Sequence, residues 1–371
     1  MKILFVVPAL AGGGAERQLC LLALGLQRAG HDVTIAVFRP GGVYERTLLA
    51  GSRVTVRSLD KRSTAETIRF LLRARRLARD VAPDVIHGYM DLGNVIATVM
   101  RRFVPDARLA WGVRVARLDR RQYDPLGRLV HELNRRLAHV PDVIICNSAA
   151  GAEECVNDGY PSARVHVVPN GIDTDAFMPD PAGGARVRQE WGIPPGSRVV
   201  GLVARLDPVK DHATFAVAAK RLSERDGRVY FVCVGDGEEP YRSRVESILR
   251  DSGLGERLIR SGFRNDMPAV YSAFDVSTSC SLSEGFSNTL AEAMACGVPC
   301  VATDAGDARL ILGDTGIVVE SRNPVALADA WQRLLDCDRM DIRDACRRRI
   351  VDSFSVEALT SRTAELLERR N

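Results

Sequence analysis

Short apolar runs rich in β-branched residues alternate with helix-length segments along the whole chain, which is typical of βαβ units and of parallel sheets covered on both faces. In the first half the predicted strands are Ile3–Ala9, Val33–Phe38, Val54–Leu59, Val85–Gly88, Leu109–Val113 and Val143–Asn147. In the second half they are Val199–Ala204, Tyr230–Gly235, Leu258–Gly262, Val276–Cys280, Pro299–Asp304 and Gly316–Val319. The pattern predicts an α/β chain with two doubly wound, Rossmann-like domains. Ligands are expected in a central cleft between them, at the carboxyl ends of the strands.

The 371 residues exceed the size at which a single hydrophobic core stops growing, so two domains are expected. We predict an N-terminal domain over residues 1–170 and a C-terminal domain over residues 171–353. The Pro- and Gly-rich stretch Pro179–Gly184 is the predicted linker. Residues 354–371 place apolar side chains at near-helical spacing, which predicts an amphipathic terminal helix.

The composition fits a soluble globular protein, with 46% apolar and 26% charged residues. No apolar stretch approaches the roughly 18 to 20 residues that span a bilayer, and the first apolar run is expected to be a buried strand and not a signal peptide. The nine cysteines are expected to be reduced thiols, with Cys296 and Cys300 buried and not bound to a metal. The sequence therefore indicates a cytoplasmic protein, soluble or peripheral at the inner face of the plasma membrane.

Positive charge is concentrated in the first half, where residues 1–176 carry a formal charge of +7 against −3 for the rest. Arginines crowd a predicted helix and the stretch after the fifth strand; they are Arg69, Arg73, Arg75, Arg76 and Arg79, then Arg114, Arg117, Arg120, Arg121 and Arg128. Such runs are typical of a solvated face. They also fit docking to an anionic membrane surface, where each cation adds about 1 kcal/mol. Nucleic acid is not expected as a partner, because the sequence shows no helix-turn-helix, aromatic stacking platform or zinc module.

A Gly-rich run follows the first predicted strand and opens the first helix, with Gly12, Gly13 and Gly14 ahead of Glu16. Glycines at this point let the backbone approach an anionic or sugar ligand closely. The dinucleotide fingerprint G-x-G-x-x-G is not met, because Arg17 stands where its third glycine belongs. The run is either a ligand loop or a tight strand-to-helix turn.

Two glutamates separated by seven residues mark Ser283–Glu292, at the predicted start of a helix. Its first turn would offer unpaired N–H groups to a diphosphate, from Phe286, Ser287, Asn288 and Thr289. Glu284, in the loop before the helix, is placed to accept hydrogen bonds from sugar hydroxyls. Glu292, up to about 12 Å further along, suits a ribose diol. The alternative is a pair of solvated glutamates, but Glu292 lies among small apolar residues, where an unpaired carboxylate is costly.

A basic loop follows the strand Val199–Ala204 and contains Arg205 and Lys210. The two cations can converge on one diphosphate, the guanidinium through a forked contact and the ammonium as a point charge. The chain has 47 Arg and only four Lys, so a Lys in this loop is unusual for this chain. A solvated pair is the alternative.

Taken in order, these motifs resemble family 4 of the retaining glycosyltransferases, the group 1 enzymes with the GT-B fold. The resemblance extends over nearly the whole chain. It is carried by the Gly-rich loop, Asn147-Ser148, Val168–Asp173, Arg205 with Lys210, Gly235-Asp236-Gly237, Glu284-Gly285-Phe286 and Glu292–Pro299.

The resemblance implies a division of roles at the donor site. Arg205 and Lys210 would hold the donor diphosphate, Glu284 the transferred sugar and Glu292 the ribose, and the first three are the expected catalytic residues. Gly235 and Arg264 would contact the donor, and backbone groups of Gly262–Asn265 would read its base. Gly13 and Gly14 would lie beside the phosphate, and the terminal helix would cross back onto the N-terminal domain.

The sequence departs from this family on the acceptor side. Many relatives place a His after the fifth strand, whereas this chain has Arg114 there, a fixed cation that could bind donor phosphate or an anionic acceptor. His87 is the nearest His at a strand end and is as well explained by a structural role. Together with Glu16, these residues are the expected acceptor side.

The resulting hypothesis is metal-independent transfer of a sugar, with retention, from a nucleotide diphosphate sugar, UDP-sugar being favoured, to a saccharide or lipid-linked acceptor. No resident cofactor or metal is expected, since the sequence shows no His cluster. The charge on the leaving diphosphate would be stabilised electrostatically. A nucleotide-sugar epimerase on the same architecture and a non-catalytic sugar-nucleotide-binding subunit are the alternatives.

Overall fold

The computed structural model describes residues 1–61, 66–114, 125–337 and 339–369. The chain divides into two compact units, an N-terminal unit of Met1–Gly171 with Val356–Asn371 and a C-terminal unit of Ile172–Ser355. Within the described residues, no helix is long and apolar enough to cross a membrane.

The N-terminal unit is built on a parallel sheet in the order β3-β2-β1-β4-β5-β6-β7. Its strands are β1 (Lys2–Val7), β2 (Asp32–Val37), β3 (Thr55–Ser58), β4 (Val85–Tyr89), β5 (Arg108–Val113), β6 (Val143–Cys146) and β7 (Val165–Val167). The helices between them are α1 (Gly14–Arg28), α2 (Val43–Thr47), α3 (Thr67–Val81), α4 (Met90–Arg101), α5 (Pro125–Leu137) and α6 (Ala149–Asn157).

The C-terminal unit is built on a second parallel sheet, in the order β10-β9-β8-β11-β12-β13. Its strands are β8 (Arg198–Val203), β9 (Val229–Val234), β10 (Leu258–Gly262), β11 (Val276–Ser279), β12 (Cys300–Thr303) and β13 (Ile317–Val319). Its helices are α7 (Pro181–Glu190), α8 (His212–Arg225), α9 (Tyr241–Arg250), α10 (Met267–Ser272), α11 (Asn288–Ala295), α12 (Ala308–Leu312), α13 (Pro324–Asp336) and α14 (Arg339–Phe354).

The central strands of each sheet are buried on both faces, which explains why β1, β2, β8 and β9 contain nearly continuous apolar runs. In β1, Ile3 and Phe5 pack into one cluster with α1, while Leu4 and Val6 pack into the cluster on the opposite face. The strands of the second sheet are likewise divided between two clusters. The predicted α/β class with two doubly wound sheets is confirmed.

The predicted linker Pro179–Gly184 is wrong, because this stretch begins α7 inside the C-terminal unit. Pro181 occupies the first turn, where its missing N–H costs nothing, and the Asp180 carboxylate caps the helix by accepting from the N–H of Gly183 at 2.9 Å. Gly184 lies against α10, where a Cβ atom would come 2.6 Å from the carbonyl carbon of Ser272. Proline and glycine therefore serve helix initiation and close packing here.

The predicted terminal helix is confirmed as α15 (Val356–Glu368), which belongs to the N-terminal unit and packs on α1. Leu359 and Leu367 of α15 enter the same core cluster as Leu22 and Leu26 of α1. The chain passes between the units at Gly171–Ile172 and again at Ser355–Val356.

Candidate functional site

The strand order of the C-terminal sheet reverses between β8 and β11, which lie side by side although α8, β9, α9, β10 and α10 separate them in sequence. Ligands of doubly wound sheets bind at such a switch point, beyond the carboxyl ends of the strands. Arg205 and Lys210 follow β8, and Glu284 follows β11. The topology therefore brings the sequence-predicted donor residues to the expected edge.

Lys210 and Glu284 form an ion pair at this edge. The Lys210 Nζ donates to Glu284 Oε1, and the hydroxyl of Ser281 donates to the same oxygen at 2.6 Å. The side chains of Lys210 and Glu284 are 19% and 17% exposed, so the pair is half-buried but reachable. A diphosphate could take the place of the carboxylate at Lys210, because both are oxyanions that an ammonium binds well.

Backbone contacts hold the loop that carries Glu284 to its neighbours. The N–H of Leu282 donates to the carbonyl of Val209 at 2.8 Å, and the hydroxyl of Thr303 donates to the carbonyl of Ser281 at 2.6 Å. Gly306 has a φ of +55°, and a Cβ atom there would come 2.3 Å from the carbonyl oxygen of Glu284. The loops after β8, β11 and β12 are thus one connected support.

Arg205 is more exposed than Lys210 and pairs elsewhere. Its guanidinium lies 3.4 Å from the carboxylate of Asp207, and 78% of the side chain is exposed. The predicted convergence of Arg205 and Lys210 on one ligand is therefore not preformed, and a ligand would have to draw the long Arg side chain inward.

Gly235 and Arg264 occupy the neighbouring strand ends. The backbone of Gly235 has a φ of +135°, and a Cβ atom there would come 2.0 Å from the carbonyl oxygen of Ala204, so only glycine fits. Arg264 is held by two carboxylates, at 2.9 Å from Glu190 and 2.5 Å from Asp266. The guanidinium of Arg264 is accordingly engaged in the protein.

Helix α11 begins at Asn288 with Ser287 as N-cap, two residues later than the sequence indicates. The backbone amides of its first turn are therefore those of Asn288, Thr289 and Leu290. The Ser287 and Thr289 hydroxyl oxygens lie 3.5 Å apart. Phe286 is buried against Phe354, with ring centroids 5.5 Å apart, so its side chain anchors the loop in the core.

Glu292 lies in α11 and is only 5% exposed. The hydroxyl of Tyr271, on α10, donates to Glu292 Oε2 at 3.0 Å. The sequence predicts Glu292 but not this partner, because Tyr271 lies 21 residues earlier and has the pattern of a core aromatic residue.

The N-terminal sheet has its own switch point, between β1 and β4. The Gly-rich loop follows β1, and the carboxylate of Glu16 accepts from the N–H groups of Gly12 at 2.9 Å and Gly13 at 2.6 Å. Gly14 is the first residue of α1. Glu16 thus occupies the amides that a ligand anion would use, and a ligand binding there would have to displace it.

His87 is the middle residue of β4, and Arg114 directly follows the neighbouring strand β5; we call them the Arg114–His87 pair. His87 is fully buried, and burial together with the nearby Arg114 cation lowers its pKa to about 3. The guanidinium of Arg114 lies over the ring of Tyr89, 4.4 Å from its centroid. The sequence analysis does not predict Tyr89 as a neighbour of Arg114. The only sequence feature that points to Tyr89 is its position as an aromatic residue at the end of a buried strand.

His212 begins α8, directly after the loop of Lys210, and is also buried. Burial lowers its pKa to about 4, so this imidazole is neutral near pH 7. Of the basic stretch after β5, Arg117, Arg120 and Arg121 lie outside the described residues.

Two family profiles match the chain, each over a different half. Glycosyl transferases group 1 matches residues 197–337, and Glycosyltransferase Family 4 matches residues 12–176.

Two curated relatives and one solved structure illustrate the similarity. A putative glycosyltransferase EpsF of Bacillus subtilis is 27% identical over 315 residues, covering 82% of this chain and 79% of that protein. A UDP-Gal:α-D-GlcNAc-diphosphoundecaprenol α-1,3-galactosyltransferase of Escherichia coli is 30% identical over 219 residues, and the match covers 57% of this chain and 56% of that enzyme. The crystal structure of Anabaena HepE in complex with UDP and glucose matches with a TM-score of 0.83 at 23% identity, over 100% of both chains.

Proposed function

The chain belongs to the group 1 glycosyltransferases of family 4, as the resemblance of its sequence motifs predicts, and we propose that it moves a sugar from a nucleotide diphosphate sugar to a saccharide acceptor. The observation that carries the proposal is the Lys210–Glu284–Ser281 cluster at the switch point of the C-terminal sheet. It brings together a reachable cation and a carboxylate, which we propose binds the transferred sugar, on the same edge as the start of α11.

In the proposed mechanism, the donor diphosphate replaces Glu284 as the partner of Lys210 and also accepts from the amides of the first turn of α11. The released Glu284 carboxylate accepts hydrogen bonds from the transferred sugar. The bond between the sugar's anomeric carbon and the diphosphate breaks, the acceptor hydroxyl oxygen bonds to that carbon on the same face, and the acceptor's proton passes to the leaving diphosphate. Lys210, the α11 amides and a recruited Arg205 stabilise the leaving charge, so we propose that transfer proceeds with retention and without a metal.

We propose UDP-sugar as the donor and a lipid-linked saccharide as the acceptor. The donor proposal is supported by HepE, a structural match in complex with UDP and glucose, and by the E. coli relative, which uses UDP-Gal. The acceptor proposal is supported by that same relative, whose acceptor is a GlcNAc on diphosphoundecaprenol.

Two helices of the N-terminal unit support docking to an anionic membrane. The arginines of α3 are exposed and lie beside exposed Ile68 and Leu72. Exposed leucines at positions 126, 129 and 133 of α5 accompany Arg128. Apolar side chains flanked by arginines favour a helix lying in the headgroup region.

A donor screen followed by a transfer assay tests the proposal. UDP, GDP, ADP and their sugars are added in thermal-shift measurements, because a ligand at 100 times its Kd adds about 2.7 kcal/mol of stability. The best donor is then incubated with lipid-linked acceptors, with and without EDTA, and the anomeric configuration of the product is read by NMR. A new glycosidic bond of retained configuration supports the proposal. Epimerisation of the donor in the absence of acceptor, or donor binding with no turnover, contradicts it.

Liposome flotation tests the membrane proposal separately. The chain is expected to float with vesicles containing anionic lipid and not with neutral ones, and the double substitution L126S and L129S should weaken flotation. Flotation that does not depend on lipid charge would rule out this docking mode.

A further inference from the structure

The Arg114–His87 pair contains a concentration of buried nitrogen atoms that lack a hydrogen-bond partner. Both ring nitrogens of His87 and all three guanidinium nitrogens of Arg114 are in this state among the described residues. Arg114 is only 9% exposed and His87 is fully buried. Buried polar groups are nearly always hydrogen-bonded, so these five atoms require an explanation.

The surrounding backbone fixes the position of the pair. His87 lies opposite Ala110 in the parallel register of β4 and β5, and Arg114 directly follows the last residue of β5. The Asn94 side chain accepts from the N–H of Gly112 at 3.2 Å and donates to its carbonyl at 3.4 Å, which holds the end of β5 in place. A Cβ atom at Gly112 would come 3.2 Å from His87 Nε2, so glycine leaves the room that the imidazole occupies.

Arg114 cannot relieve its burial by losing its charge, because a guanidinium stays protonated in proteins. The Tyr89 ring beneath it attracts the cation, but burial raises the pKa of Tyr89, and this neutral side chain does not compensate the charge as a carboxylate would. Arg264 and Arg188 of the C-terminal unit, by contrast, each lie within 2.9 Å of a carboxylate. A buried guanidinium without such a partner is unfavourable, and an anionic ligand would remove the penalty.

We propose that the Arg114–His87 pair is an oxyanion-binding subsite of the N-terminal unit, which takes a phosphate or carboxylate group carried by a substrate. The inference rests on the proposed glycosyl transfer and adds the chemistry of the group that is recognised. The planar fork of Arg114 binds two oxygens of the anion, and an N–H of neutral His87 donates to a third or to an adjacent hydroxyl. We expect the group to belong to the acceptor.

A phosphate titration of the full chain tests the subsite independently of catalysis. Inorganic phosphate is added at constant ionic strength in the presence of saturating UDP, which occupies the proposed donor site. The melting temperature is compared for wild type, Arg114→Met, Arg114→Lys and the control Arg76→Met, since Arg76 on α3 is 85% exposed. Wild type and Arg76→Met should gain stability with phosphate. Arg114→Met should start several degrees higher, because an unpartnered buried charge is removed, and should lose at least 90% of the phosphate-dependent gain.

An equal phosphate-dependent gain in wild type and Arg114→Met, or no gain in either, overturns the subsite. Arg114→Lys guards against misfolding of the Met variant, because it keeps the charge but lacks the fork and should retain only part of the gain. The arginine Nε–H resonance that Arg114→Lys removes should shift with phosphate in the wild-type NMR spectrum, and a resonance that does not move counts against the proposal.

Two further arms identify which substrate carries the anion. The first compares glucose 1-phosphate with glucose as ligands on the UDP-saturated chain, and the second compares UDP-glucuronate with UDP-glucose. A preference of at least tenfold that Arg114→Met abolishes assigns the subsite to the acceptor in the first arm and to the transferred sugar in the second. Phosphate binding at Arg114 by a chain that transfers no sugar would uphold the subsite and contradict the proposed function, so the two failures are distinguishable.

Discussion

The carboxyl edges of the two sheets differ in how their charges are balanced. At the C-terminal edge each candidate charge has a partner inside the protein, as Lys210 has in Glu284 and Arg264 in Asp266. At the N-terminal edge the Arg114–His87 pair has no hydrogen-bond partner among the residues that the structure describes.

The difference separates two ways of preparing a binding site. A ligand at the C-terminal edge must exchange with Glu284, so its net gain is a difference between two ion pairs. A ligand at the N-terminal edge meets a guanidinium that is already desolvated, so the energetic cost of preparing the site is met during folding. Exchange with Glu284 at the C-terminal edge would favour release of the nucleotide product. The desolvated guanidinium at the N-terminal edge would favour binding of anionic ligands over neutral ones.

The largest effect is expected from Lys210→Ala, which removes the central cation of the paired edge. Transfer should slow about 10²- to 10³-fold, equivalent to about 3 to 4 kcal/mol of transition-state stabilisation. Lys220→Ala is the matched control, because Lys220 is exposed on α8 and pairs with Glu224 at 3.5 Å. Steady-state kinetics with saturating acceptor measures the effect. Full turnover in Lys210→Ala would show that the Lys210–Glu284 ion pair has a structural role and no role in transfer.

Glu284→Gln should separate donor binding from turnover. The substitution keeps a hydrogen-bond acceptor for Ser281 but removes the charge that competes with diphosphate for Lys210. UDP should bind about 5- to 10-fold more tightly, while turnover falls about 30- to 100-fold through the weakened contact to the transferred sugar. Calorimetry and kcat measure the two effects. An unchanged UDP affinity would contradict the exchange of Glu284 for diphosphate.

Both edges contain a buried imidazole, and acid should destabilise both. Burial lowers the pKa of His87 to about 3 and that of His212 to about 4, below the ordinary value of 6.5. Below pH 6.5 these imidazoles therefore bind protons in the unfolded chain but not in the folded chain. The free energy of unfolding falls as the pH drops below 6.5, by about 2 kcal/mol per site at pH 5. Hydrogen exchange of β4 and β8 between pH 7 and pH 5 measures each unit separately.

His87→Gln should remove the pH-dependent loss in β4 only, and His212→Gln the loss in β8 only. The same loss in wild type and both variants would show that neither imidazole is the group that takes up the proton.

The smallest effect is expected from Tyr271→Phe, which removes the hydroxyl that donates to Glu292. If Glu292 binds the ribose, as the family resemblance implies, losing one such hydrogen bond should weaken UDP binding about 2- to 5-fold, because the carboxylate is less firmly oriented. Pyrophosphate contains no ribose, and its affinity should not change. A parallel loss for both ligands would place Glu292 outside the ribose contact.

Much of the fold follows from local pattern, because apolar runs bounded by turn residues predict the strands to within two residues at each end. Lys210 was also identifiable, since lysine is rare in this arginine-rich chain. The pairing of Lys210 with Glu284 joins positions 74 residues apart, and no spacing within either motif encodes it.

The linker predicted at Pro179–Gly184 shows where local sequence pattern gives a wrong prediction. Pro181 and Gly184 have the residue types of a chain break, but a helix can begin at proline and pack closely at glycine. Only the tertiary neighbour, α10, decides between the two structures. The sequence shows that Arg114 stands where many relatives have a His. It does not show that the guanidinium lacks a hydrogen-bond partner, because that depends on every residue around it.

The position of α15 has a consequence for synthesis on the ribosome. The C-terminal unit is one continuous segment, but the N-terminal unit is completed only by residues that are translated after the whole C-terminal unit. Until then, the α1 face that receives Leu359 and Leu367 stays uncovered, and an exposed apolar face of a nascent chain is prone to aggregation. Truncated products of this chain should therefore depend on chaperones, even when every residue of both candidate binding edges has already been made.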